Sequence, residues 1–173
     1  MLHFLRTLSL LLLLTLPLLA SAADGFFTMT FGDFQEELQS ARDSGKKAIL
    51  IMFEMEECPF CHRMKQTILN QPEVQEYFGE HFLAFSVDIE GGIEITDFAG
   101  NQTTEKDFAF LQHRVRATPV FLFFDLEGEP IPGSRFTGIS NGVEEFLLLG
   151  RFIAEAGYRE GNFTRYKREQ AGR

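Results

Sequence analysis

Cys58 and Cys61 are the only cysteines among 173 residues, and they stand two residues apart in EECPFCHRM (56–64). Two thiols at this spacing can do three things. As a structural staple they would close a ring so small that about 2 kcal/mol of unfolded-chain entropy is removed, little help to a chain with 20 phenylalanines. As zinc ligands they would need about two more, and beside His62 the sequence offers no second CxxC and no HxxxH. As a redox pair they need to open a helix beside a strand, where a sulfur can be held as thiolate.

The neighbouring residues meet that condition. Lys47–Phe53 (KAILIMF) is a nearly continuous apolar run, the pattern of a buried central strand. Pro59 suits a first helical turn, where its missing N–H costs nothing, and His62, Arg63, Met64, Ile68 and Leu69 continue at helical spacing. Cys58 is therefore expected at a helix N-terminus, where the dipole and free N–H groups favour a thiolate. Cys61 is expected one turn in, as the thiol that resolves a mixed disulfide. Glu56 and Glu57 oppose a thiolate by charge, and a protonated His62 would offset them.

The rest of the chain alternates helices and strands. Asp33 is expected to cap a helix with Phe34, Leu38 and Ala41 on one face, ending near Gly45; Gln71-Pro72 starts a short helix; Phe82–Asp88 is a second buried strand. Glu90 to Thr103 reads as a long loop with turn signals at Gly91-Gly92 and Gly100-Asn101. Thr103 or Thr104 caps a helix carrying Phe108, Leu111 and Val115. Ala117-Thr118-Pro119 leads into the apolar strand Val120–Phe124, and Leu126–Glu129 turns into an edge strand over Ile131 to Thr137. Asn141 is expected to cap a long last helix with Phe146, Leu149 and Phe152 inward. His81 and His113 have no partner pattern. The order predicts an α/β sandwich.

The first residues, MLHFLRTLSLLLLLTLPLLASAADG, have a basic start at Arg6, an apolar run of about 12 residues and the small-residue site Ala20-Ser21-Ala22. The run is short against the ~20 residues of a spanning helix, so residues 1–22 read as a cleaved secretory signal peptide. Residues 23–158 would form one domain, and 159–173 a polar, basic, loosely held tail. Losing Arg6 takes the formal charge from −9 to about −10, which argues against nucleic acid or anionic lipid as partners.

CPFC opening a helix after a strand, Thr118-Pro119 starting a later strand, and a following D-x-x-G hairpin resemble the thioredoxin fold, a central mixed β-sheet flanked by helices. The likeness covers roughly Phe31 to Tyr158. MFEMEECPFCHRM, VDIEGGIEITDF and TEKDFAFLQHRVRATPVFLFFDLEGEPIPGSRFTG resemble periplasmic thioredoxin-like proteins of the SoxW type. The resemblance implies Cys58 as attacking nucleophile, Cys61 as resolving thiol and Pro119 as a cis-proline facing the disulfide, although the residues alone favour an ordinary trans proline there. It implies that Thr118 pairs with substrate main chain, and that Pro59 and Phe60 tune the potential and shape the docking surface. Cytosolic thioredoxins carry a buried aspartate six residues before the nucleophile; here that residue is Met52, with Glu54 as a candidate substitute. Their tryptophan before the first cysteine is Glu57 here.

Disulfide oxidants of this fold hold an unusually stable thiolate, which Glu56 and Glu57 disfavour. The expectation is a monomeric periplasmic disulfide reductase without cofactor or metal. It would act on exported proteins, such as sulfur-oxidation or cytochrome c maturation clients, and be recharged by a membrane electron donor. The alternatives are a DsbA-like oxidant and a Cu(I) chaperone using Cys58, Cys61 and the nearby Met64.

Overall fold

The computed structural model describes residues 25–172; the expected signal peptide, residues 1–22, lies outside them. A four-stranded sheet is built in the order β2-β1-β5-β6 from β1 (Ala48–Glu54), β2 (Phe82–Asp88), β5 (Val120–Phe124) and β6 (Phe136–Thr137). β1 runs parallel to β2 and antiparallel to β5, and β5 is antiparallel to β6. The helices are α1 (Phe34–Asp43), α2 (Pro59–Met64, continued by a π-helical turn over Lys65–Leu69), α3 (Pro72–His81), α4 (Glu105–Asp107, continued by a π-helical turn over Phe108–Gln112), α5 (Val143–Ala154) and α6 (Phe163–Ala171). β3 (Glu94–Thr96) and β4 (Gln102–Thr104) form a separate hairpin. This is the thioredoxin fold.

β1 explains why the molecule has two half-cores. All its residues but the last are buried, and strand alternation sends them to opposite sides. Ala48, Leu50 and Met52 pack with Cys58, Cys61, Phe78, Phe123 and Phe146. Ile49, Ile51 and Phe53 pack with Phe34, Phe85, Phe108 and Phe124. The phenylalanines do much of the filling. Phe78 of α3 stacks on Phe146 of α5 with ring centroids 4.6 Å apart, where an aromatic pair adds about 0.5–1.5 kcal/mol beyond its area.

Several elements differ from the sequence reading. The segment from Glu90 to Thr103 holds the β3–β4 hairpin, tied by Asp97, whose Oδ1 accepts the N–H groups of Ala99 (2.9 Å) and Asn101 (2.8 Å). Burial would raise the Asp97 carboxyl, but these bonds and one from Gln112 outweigh it and hold the pKa below the ordinary value. The edge strand expected over Ile131 to Thr137 pairs only at Phe136–Thr137, after an isolated bridge from Phe124 to Pro130. The helix expected to be last, α5, is followed by α6 and is capped at Gly142 (φ +104), not at Asn141, whose N–H is taken by Glu145 Oε2.

The π-helical turn after α4 rotates the expected apolar face. Phe108 and Ala109 are buried, Leu111 is 65% exposed, and Val115 reaches the core only after Arg114 turns at φ +53. Beyond Gly157 the chain is not a loose tail. Asn162 Oδ1 caps α6 through the Arg165 N–H (2.9 Å), and Phe163 and Tyr166 lay their rings 5.6 and 5.3 Å from Phe152.

His113 is half-buried in this frame. Its ring lies 4.5 Å from Phe108 and 5.0 Å from Phe124, and its Nε2 has no hydrogen-bond partner. Burial, with the Arg135 charge adding to it, pushes its pKa down to about 4. An unfolded chain titrates this histidine near ~6.5, so between these values it binds more protons than the folded one. Stability is therefore lost as pH falls from 6.5 towards 4. The melting temperature should drop over that interval, and His113→Phe should remove a measurable part of the drop; an identical pH dependence in wild type and variant would contradict a neutral imidazole held against Phe108 and Phe124.

Candidate active site

Cys58 and Cys61 are joined by a disulfide, with an S–S distance of 2.08 Å and Cα atoms 5.2 Å apart. β1 ends at Glu54, a short turn follows, and Cys58 becomes the N-cap of α2 in an extended conformation, with Pro59 in the first turn. The cap is made by sulfur. Cys58 Sγ accepts the Cys61 N–H at 3.0 Å, while the Cys58 carbonyl accepts the His62 N–H at 3.0 Å. Both cysteines are buried, Cys58 at 2% and Cys61 at 0% exposure.

The Thr118–Pro119 peptide bond is cis. It brings the Thr118 hydroxyl to 3.2 Å from Cys58 Sγ, to which it donates. The resemblance implies a role for the Thr118 main chain, and no pattern in the residues signals this side-chain bond. The loop is held from behind: the Pro119 carbonyl accepts the Gly138 N–H at 2.8 Å, and Val120 pairs with Thr137. Among the described residues, the Cys61 N–H and the Thr118 hydroxyl are the only groups hydrogen-bonded to Cys58 Sγ.

The other expected site residues fall around this centre in different ways. Phe60 is 60% exposed between the cysteines and forms the outer surface of the motif. Pro59 and Glu57 are exposed. His62 turns its ring back to the loop, with Nε2 3.1 Å from the Glu56 carbonyl, and makes no hydrogen bond to a sulfur. Arg116 lies 5.2 Å from the Phe110 ring, beside the exposed Leu111. This apolar patch precedes Thr118-Pro119 by a few residues and was hidden in the sequence by the expected helical face.

Met52 is fully buried in the cysteine half-core. β1 pairs regularly with β2 as far as Glu54 with Asp88, so Glu54 lies on the Met52 face, at the open end of the strand. Its Oε1 takes the Lys65 ammonium at 2.6 Å and the Ser86 hydroxyl. Met64, the third candidate copper ligand, is buried among apolar side chains.

Residues 34–152 match the family model of the thioredoxin-like domain. A thiol:disulfide interchange protein DsbD of Pseudoalteromonas atlantica is 29% identical over 125 residues, which are 72% of this chain and 18% of that protein. The chain therefore spans less than a fifth of this relative's length. Among solved structures, a thioredoxin-fold protein from Helicobacter pylori superposes with a TM-score of 0.68 at 20% identity, covering 88% of this chain and 96% of that one. A thioredoxin from Thermus thermophilus gives 0.55 at 25% identity, covering 72% and 86%. The chain belongs to the thioredoxin-like domain family, and its CxxC disulfide gives it the redox centre of a thiol–disulfide oxidoreductase.

After reduction, the Cys61 N–H and the Thr118 hydroxyl are placed to stabilise a Cys58 thiolate. A hydrogen bond to a charged group is worth about 1.5–3 kcal/mol. Thr118→Val keeps the shape and removes the donor. It should raise the Cys58 pKa by about one unit or more and make the potential more negative by about 30–60 mV. Thiolate absorbance against pH and equilibration with glutathione read the two effects; no change in either would contradict the role of the hydroxyl.

Proposed function

We propose that this protein is an exported thiol–disulfide reductase that donates electrons to disulfides of other exported proteins. The observation that carries the direction is the sparse support of Cys58 Sγ. One main-chain N–H and one hydroxyl reach it, and no cationic side chain hydrogen-bonds to it among the described residues. His62 is engaged with Glu56, and the Lys65 charge is met by Glu54. Glu56 and Glu57 stand exposed at the approach. An oxidant needs a much more stable thiolate than this supplies.

The reaction follows from the arrangement. The reduced protein attacks a client disulfide with the Cys58 thiolate, and one client sulfur leaves as thiolate. Cys61, deprotonated, then attacks Cys58 Sγ, expelling the second client sulfur and forming the Cys58–Cys61 disulfide. Two electrons pass to the client, whose sulfurs take up two protons. Phe60, Thr118 and the Phe110–Arg116 patch form the client-docking face, and Pro59 with Glu57 and His62 sets the local potential. A membrane electron donor returns the disulfide to the dithiol. Sulfur carriers and cytochrome c maturation proteins are the client classes, and the leader-like residues 1–22 support a periplasmic location. The protein acts as a monomer without metal or cofactor.

Insulin reduction by the full-length mature chain, with dithiothreitol as electron source, tests this reading. Turnover should persist with a copper chelator present, vanish in Cys58→Ser, and stall in Cys61→Ser as a trapped mixed disulfide. Oxidation of reduced ribonuclease outpacing reduction of insulin would contradict the direction; loss of turnover on chelation would favour the copper-binding alternative.

A further inference from the structure

β2 is the outer strand of the main sheet, and part of its edge is open. The Ile89 N–H donates to the Glu54 carbonyl, so alternation turns the main chain of odd-numbered β2 residues towards β1 and that of even-numbered ones outward. Ala84 spends its outward carbonyl, and Asp88 both its outward groups, within the molecule. The Ala84 carbonyl accepts the Thr28 N–H at 2.7 Å, the Asp88 carbonyl accepts the Gly91 N–H at 3.0 Å, and the Asp88 N–H faces Glu105 Oε1 at 3.5 Å. Ser86 lies between them. The N-terminal strap leaves the edge after Thr28 and next bonds at Gly32, whose carbonyl accepts the Thr96 N–H. On the way it exposes Met29 (85%) and Phe31 (97%).

The space beside Ser86 is a groove of about 670 Å3 that runs to Glu56 and His62, the residues bracketing the CxxC motif. It shares no residue with the hollow at Phe110 and Arg116 on the cis-proline side. Its floor and rim are Met55 and the exposed Ile93, and its walls carry Glu54, Glu56, Asp88 and Glu105. Lys65 is already met by Glu54, so the walls hold an excess of negative charge. Glu105 is pressed close: a Cβ on Gly91 would meet its Oε2 at 2.2 Å. Burial pushes the Glu105 carboxyl up, and the Asp88 charge adds to this against the bond from the Asp88 N–H. A cation entering here would relieve that repulsion.

We infer that, beside the docking face at Phe60, Thr118 and the Phe110–Arg116 patch, this groove receives a flanking extended stretch of the client that carries Lys or Arg and adds to the open β2 edge at Ser86. The inference rests on the reductase reading and names its substrate class. Strand addition supplies main-chain hydrogen bonds, and the acidic walls supply the preference for a basic sequence. Met55 and Ile93 receive the apolar side chains that alternate with the basic ones.

The test compares two eight-residue peptides, each with a single cysteine in mixed disulfide with glutathione. One has Lys and Arg around the cysteine, the other Glu at the same places. Reduced full-length mature protein should react about tenfold faster with the basic peptide at low ionic strength, and added salt should erase the difference. The Asp88→Asn, Glu105→Gln double variant should narrow the preference from both sides, slowing the basic peptide and speeding the acidic one. In Cys61→Ser, trapping the basic peptide on Cys58 should protect the Ser86 amide from hydrogen exchange. Equal rates with both peptides, an unprotected Ser86 amide, or a second copy of the chain occupying the edge in sedimentation would overturn the inference. If neither peptide reacts, the reductase reading falls, whereas reaction without preference overturns the groove alone.

Discussion

The Cys58 sulfur stands where a serine or aspartate oxygen would ordinarily cap a helix. It accepts the Cys61 N–H and so satisfies one of the donors that every helix start leaves free. The rest of the architecture keeps that sulfur in place. β1 brings the chain up through the middle of the sheet, its buried residues gripped from both sides, and stops at Glu54. Pro59 then fixes the first helical turn. β5 and β6 hold the neighbouring loop so that Thr118 reaches the same atom. The same contacts that position the disulfide would hold a thiolate once it opens, so structure and chemistry share one set of donors.

Two half-cores give this arrangement its rigidity. The sulfurs belong to the half-core of Met52, Phe78 and Phe146, not to the surface. A polar carboxylate at position 52 would face that apolar packing. Instead the carboxylate of this face sits two residues further along, at the strand end, bonded to Lys65 and Ser86. The acidic groups near the site are thus arranged at its rim, where charge can select what approaches without entering the core.

Much of this was legible in the sequence because the signals were long or chemically specific. The apolar runs at Lys47–Phe53, Phe82–Asp88 and Val120–Phe124 read as buried strands, Asp33 marks a helix start by its capping side chain, and Pro59 marks one by its place in the first turn. CxxC located one wall of the site, and the Thr118-Pro119 wall was legible only through the family resemblance. What was hidden depends on short elements and on register. β3 and β4 are three residues each, too brief for a period to show. The π-helical turn after α4 shifts the apolar face, so Leu111 emerges while Val115 is buried. The α6 helix is polar overall, and docks through Phe163 and Tyr166, which composition alone assigns to a tail. The Thr118 hydroxyl and the open edge at Ser86 are products of tertiary placement, and no local pattern encodes them.

The central claim is that a sulfur held by one N–H and one hydroxyl, with carboxylates at its approach, is poised to give electrons away. The reduction potential of Cys58–Cys61, measured by equilibration with glutathione, tests this most directly. The account predicts a value near the thioredoxin figure of about −270 mV. A value near the DsbA figure of about −120 mV would contradict it, because the helix start would then outweigh Glu56 and Glu57 and the protein would make disulfides.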